Sequence, residues 1–226
     1  MNTLRKDKNP AFDYCEADYW IAYKDGKPVG RIAGIINKTY NKINNAKRAR
    51  FGWIDFIDDE EVSAALLSTV ENWAREKGMD KINGPLGFCD ADHQGMLIEG
   101  FEELGMIITI YNHPYYPVHL EKLGYMKDID WIEIELKVPD EIPEKIVRIN
   151  DLILKRTKMK VINFKTPKEI LPYAEQIFEL YNEAYKNLFG FTYLTDRQIE
   201  AYIKQYFTFV NPDYVKVIVD ADEKIA

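Results

Sequence analysis

The chain has 226 residues, 46% of them hydrophobic, 30% charged and 13% aromatic, the composition of a soluble globular protein with room for one large domain or one domain and part of a second. A net charge of −7 argues against nucleic acid and anionic membrane surfaces as partners. Two cysteines cannot build a disulfide framework, and with no signal-peptide pattern and no apolar run of bilayer length the expected setting is the reduced cytoplasm.

Residues 1–17 are polar and irregular. Tyr19 to Tyr23 read as a strand, Lys24-Asp25-Gly26-Lys27 as a tight turn, and Val29 to Ile36 as the return strand, because Asp-Gly between two β-rich runs is a strong hairpin signal. A loop rich in Asn and Lys follows, with the compact basic run Lys47-Arg48-Ala49-Arg50, and then a third strand from Phe51 to Ile57. Asp58-Asp59-Glu60-Glu61 opens a helix. Its stripe Val62, Leu66, Val70 and Trp73 recurs at helical spacing and ends at the capping residue Gly78. Acidic residues in a first turn face the positive end of the helix dipole.

A strand at Lys81–Asn83 leads into a Gly-rich segment from Gly84 to Gly105. Beyond it, Met106–Tyr111 reads as a strand, Pro114–Leu123 as a short helix closed by Gly124, and Trp131–Val138 as a strand with one wet face. Pro139-Asp140-Glu141-Ile142-Pro143 punctuates the chain. The expected organisation is therefore a first unit over 1–138, a linker helix within 139–160, and the first part of a second unit over 161–226. That last part holds a strand at Val161–Phe164, helices at about 172–188 and 196–207, and a strand at Tyr214–Val219.

The two ends of the chain resemble each other. DYWIAYKDGKPVG begins at Asp18 and DYVKVIVDADEKIA at Asp213, each an apolar strand, an acidic turn and the start of a second strand. Because the second copy stops at Ala226, the expectation is a tandem repeat cut short, or a hairpin completed by another chain.

Candidate chemistry concentrates between Gly84 and Gly105. Asp90, Asp92 and Glu99, with His93 among them, are candidate proton acceptors, and their alternative role is a set of solvated loop acids. Gly84, Gly87 and Gly95 permit close backbone approach, and with Phe88, His93 and Met96 they form a candidate substrate pocket. The alternative is a loop that covers one end of the sheet. No defined metal motif is present.

The run His119-Leu120-Glu121-Lys122-Leu123-Gly124-Tyr125 is similar to the LYEKLGF signature of the penultimate helix in the GNAT superfamily of acyl-CoA-dependent N-acyltransferases. The order of elements in 18–138 resembles that fold from its hairpin to its end, and 161–226 resembles it from its first strand to its hairpin. The GPLGF, GMLIEGF and YNHPYYP stretches are similar to larger uncharacterised bacterial proteins with two GNAT-like halves. The resemblance implies an α+β fold with a mixed, mostly antiparallel central sheet between helices. It also implies an acetyl-CoA or other acyl-CoA donor along Ile54, Phe56 and Ile57, and a small-molecule amine or metabolite as acceptor.

In the family a tyrosine before the EKLGF run protonates the departing thiolate. Here that position is Leu120, and Tyr115 and Tyr116 lie upstream as candidates. The helix that should receive the cofactor diphosphate instead begins with four carboxylates, which predicts weak CoA binding at that place. Three readings remain open: an acyltransferase, a non-catalytic ligand-binding module, and a structural unit in which 161–226 completes the first sheet within one chain or across a homodimer that exchanges this segment.

Overall fold

The computed structural model describes residues 2–106, 108–207 and 210–225. The chain divides into two compact units, Met1–Trp131 with Leu188–Thr192, and Ile132–Asn187 with Tyr193–Ala226. It is mixed α+β, with a mostly antiparallel sheet flanked by helices. Among the described residues no helix is long and apolar enough to cross a membrane.

In the first unit, β1 (Cys15–Lys24) and β2 (Lys27–Asn37) form the expected hairpin. Its turn places Asp25 and Gly26 at φ 51° and 75°, the left-handed geometry that Asp-Gly supplies at little cost. Asn37 then accepts from the Tyr40 amide at 2.8 Å and caps α1 (Lys38–Ile43), a short helix where the sequence suggested only a loop. Next come β3 (Arg48–Phe56), antiparallel to β2, the helix α2 (Glu60–Glu76), and β4 (Lys81–Asn83), parallel to β3, giving sheet order β1-β2-β3-β4.

The expected stripe of α2 is buried, and it meets Ile32, Ile36, Phe51 and Phe56 in one core. Ile35, Cys15, Ala11 and Phe88 pack on the opposite face of the sheet. A β-bulge decides which β3 side chains reach which face. Ile32 lies opposite both Trp53 and Ile54, and Trp53 adopts φ 45°. The extra residue shifts the alternation, so Phe51, Ile54 and Phe56 pack with the α2 core while Trp53 joins Phe88 on the other side.

The chain after β4 lies flat against β3. A Cβ on Gly84 would sit 2.2 Å from the Phe51 carbonyl, and one on Gly52 2.3 Å from the Leu86 carbonyl, so only glycine permits this approach. Leu188–Thr192 completes the unit. The Gly190 carbonyl accepts from the buried Arg50 at 2.8 Å, and Thr192 Oγ1 accepts from Asn37 Nδ2 at 3.0 Å. Near the end of the unit, α3 (Tyr115–Lys122) packs on the α2 side.

The second unit contains α4 (Glu144–Thr157), β5 (Lys160–Asn163), α5 (Pro167–Ile170), α6 (Ala174–Tyr185), α7 (Asp196–Tyr206) and β6 (Lys216–Val219), with β5 antiparallel to β6. Its core is Phe164, Ile170, Val217 and Val219. After β6 the chain turns back, the Asp220 amide donating to the Lys224 carbonyl at 2.8 Å and Ile225 bridging to Val219; Ala226 lies outside the described residues.

Two expected strands do not form. Residues 131–138 take up no regular element and pair with no strand among the described residues, and residues 106 and 108–111 are irregular, with Ile107 outside the described residues.

Candidate functional site

The sequence candidates fall in two places. The first is the segment from Gly84 to His113, where side chains mostly serve the backbone. Asp92 accepts from the Phe88 and Cys89 amides at 2.8 and 3.3 Å, and its burial, against the pull of those two amides, pushes its carboxyl above the usual range. Asp90 accepts from Gln94 at 2.8 Å, His93 Nδ1 lies 3.0 Å from the Ile108 carbonyl, and Glu99 is exposed.

Gly87 is packed so closely on Asp92 that a Cβ would come within 2.2 Å of it. The Gly95 amide donates to the Pro85 carbonyl at 2.8 Å, Met96 packs against the α2 core, and Phe88 is fully buried between Phe12 and Trp53. Asn112 grips Leu97 on both its amide and its carbonyl, which ties the two arms of the segment together. This stretch is tightly self-bonded.

The second place is the far end of β3. The pairing of β3 with β4 ends at Arg50 and Asn83, residues 84–86 follow the β3 edge past Phe51 and Gly52, and at Phe56 the strand end is met by α3. Tyr115 Oη donates to the Phe56 carbonyl at 2.6 Å, and the Phe56 amide donates to Tyr116 Oη at 3.2 Å. Tyr116 in turn donates to the Asp55 carboxylate and stacks on the Phe56 ring at 4.3 Å. Burial, reinforced by nearby carboxylates, raises both phenol pKa values, so both hydroxyls hold their protons. Phe56, Ile54 and Ile57 thus sit at this strand end, with Ile57 exposed and its amide bonded to the Val29 carbonyl.

One turn further along α3, His119 is almost fully buried. Its Nε2 lies 2.9 Å from Asp58 Oδ1 and its Nδ1 2.8 Å from Ser63 Oγ. A carboxylate only accepts, so Nε2 carries a proton and the imidazole clamps Asp58 in place. The Asp58 side chain itself is 67% exposed. The strand end therefore joins an accessible carboxylate backed by histidine, a second carboxylate backed by phenol and paired with Arg31 at 3.4 Å, and two protonated tyrosines.

The helix start beside them is already satisfied. Asp59 Oδ1 accepts from the Glu61 and Val62 amides, and its other oxygen meets Lys24 at 2.6 Å. The Lys24 ammonium, with those amides, holds the Asp59 carboxyl below the usual range, and Lys122 does the same for Glu60. The amides that would grip an anion thus already grip Asp59. The residues at this helix start do not fit a CoA diphosphate.

Among the described residues no group of three or more His, Cys, Asp or Glu is placed to hold a metal ion. Sequence reasoning singled out Tyr115 and Tyr116 but missed Asp55, Asp58, Ser63 and His119. The available signal was helical spacing: His119 follows Tyr115 by four residues and so shares its face.

The chain is similar to YghO of Escherichia coli K12, with 30% identity over 216 residues, covering 95% of this chain and 54% of that protein. It is also similar to a protein named bacterial ceramide synthase in Caulobacter vibrioides, with 26% identity over 214 residues, covering 90% of this chain and 54% of that one. The chain thus spans about half the length of the curated relatives it matches. No protein-family model and no solved structure matches it.

Proposed function

We propose that this chain takes part in the transfer of an acyl group to an amine, and that the end of β3 is where the amine is held and loses its proton. The observation that carries the reading is the exposed Asp58 carboxylate clamped by buried His119. A carboxylate attracts a protonated amine, and a fixed, accessible one can take its proton. Tyr115 and Tyr116 hold the strand end that positions it. The name of the Caulobacter relative supports the same reaction class, because a ceramide is the amide of a fatty acid with a long-chain amine. The part of the GNAT-like order that does form, from the β1–β2 hairpin through β3 and α2 to β4, supports it as well.

An acyl-CoA donor belongs to this reading only as a reactant bound away from the start of α2, where Asp59 occupies the amides. The test is amide formation from a long-chain amine and an acyl-CoA. Asp58→Asn should slow it by about 10²-fold or more, while Glu61→Gln on the same turn leaves it unchanged. Equal rates for Asp58→Asn and the parent chain would sink the proposal. The Asp59 cap also favours a second reading, a ligand-binding module with no transfer step. That reading gains if the amine binds in calorimetry but no amide forms.

A further inference from the structure

Residues 132–138 are the least explained part of the molecule. Ile132, Ile134, Leu136 and Val138 are 81, 74, 82 and 89% exposed. They alternate with Glu133, Glu135 and Lys137, so an extended backbone puts all four apolar side chains on one face. Among the described residues this segment pairs with no strand. An open apolar edge of this kind is a template for another strand.

We propose that this segment pairs antiparallel with the same segment of a second copy of the chain, about a twofold axis at Glu135. Charge selects the occupant. Pairing registers that keep the apolar residues facing one another place even-numbered residues opposite even-numbered ones. The longest of these within the segment puts Ile132 opposite Val138, Ile134 opposite Leu136, and Glu133 opposite Lys137. Twofold symmetry makes each of these contacts twice, so the segment supplies its own complementary charges. The axis itself brings Glu135 opposite its twin, one like-charge pair.

A two-stranded ribbon is marginal alone and needs a layer on its apolar face. The helix that follows, α4, has no buried residue, and Ile146, Ile149 and Ile153 recur along one side of it. This stripe is the cover for the ribbon.

Sedimentation equilibrium of the 226-residue chain tests the proposal, with far-UV circular dichroism as a check that each variant folds. The parent chain should be a reversible dimer, and Leu136→Asp a monomer. Lys137→Glu should weaken the dimer about tenfold or more by turning two attractive pairs repulsive. Glu133→Lys added to it should restore the affinity, since both pairs are then reversed together. Glu135→Gln, the gentlest change, should tighten the dimer by removing the like-charge pair. A chain that stays monomeric at every concentration, or a double variant no tighter than Lys137→Glu alone, overturns the proposal. So does a monomer that binds phosphatidylglycerol vesicles through this segment.

Discussion

Two stretches of this chain look alike as sequence and differ as structure. Residues 51–57 and 131–138 are both β-rich, and both read as strands. The first became β3 because β2 and β4 flank it and α2 covers it, so its backbone groups find partners and Phe51 and Phe56 lose nearly all contact with water. The second has the same local preference, and among the described residues no strand pairs with it. Strand propensity describes how well a side chain fits a pleated, half-buried surface, and that surface has to exist.

The same contrast separates the units. The first buries a continuous core from Ile32 to Leu120 under α2 and α3, while the second rests on Phe164, Ile170, Val217 and Val219 around one strand pair. The units should therefore differ in stability. Phe51→Ala should cost the first unit about 3–5 kcal/mol, as truncation of a buried aromatic does. In calorimetry the higher of two transitions should fall and the lower one stay. A single transition that moves as a whole would break the comparison, since the units would then unfold together.

Much of the first unit was legible because its signals are local. The Asp25-Gly26 turn, the Val62-Leu66-Val70-Trp73 stripe and the Asp-rich helix start each state their own geometry, and each appears as expected. The strand end was less legible because it is assembled from three elements. Asp55 and Asp58 close β3 and approach α2, Ser63 lies within α2, and His119 comes from α3 more than fifty residues later. No spacing in the sequence announces that His119 points at Asp58. The Gly84–Gly105 acids show the converse: they are close in sequence, and in the structure each bonds within its own segment, Asp90 accepting from Gln94 and Asp92 from two backbone amides.

A smaller effect sharpens the role of the segment from 188 to 192. Thr192 is buried, and its hydroxyl accepts from Asn37, which also donates to the Phe88 carbonyl at 3.1 Å. Thr192→Val keeps the shape and removes the acceptor. It should lower the urea midpoint of the first unit by the equivalent of about 1–1.5 kcal/mol, the cost of one buried hydrogen bond. An unchanged midpoint would mean that Gly190 and Arg50 hold the segment without Thr192.

The smallest effect is a pH dependence set by Cys15. Burial pushes its thiol from the ordinary 9.0 up to about 12, partly offset by the Arg50 guanidinium nearby. A thiol raised in the folded state favours folding fully below its unfolded pKa, and that contribution is lost as pH rises from about 9 towards about 12, because the unfolded chain ionises first. Between about pH 8 and pH 9.5 the loss should reach roughly 0.8 kcal/mol. Tyr19, raised to about 12 chiefly by burial, acts in the same direction at higher pH, so the parent chain alone does not isolate the thiol. The difference between the parent and Cys15→Ala does. The variant's urea midpoint should fall less steeply across that interval, and parallel curves for the two would place the alkaline sensitivity elsewhere. The effect also belongs to one region, since Cys15 packs with Ile35 and Phe88 in the first unit, and a probe confined to the second should show no difference between the two proteins.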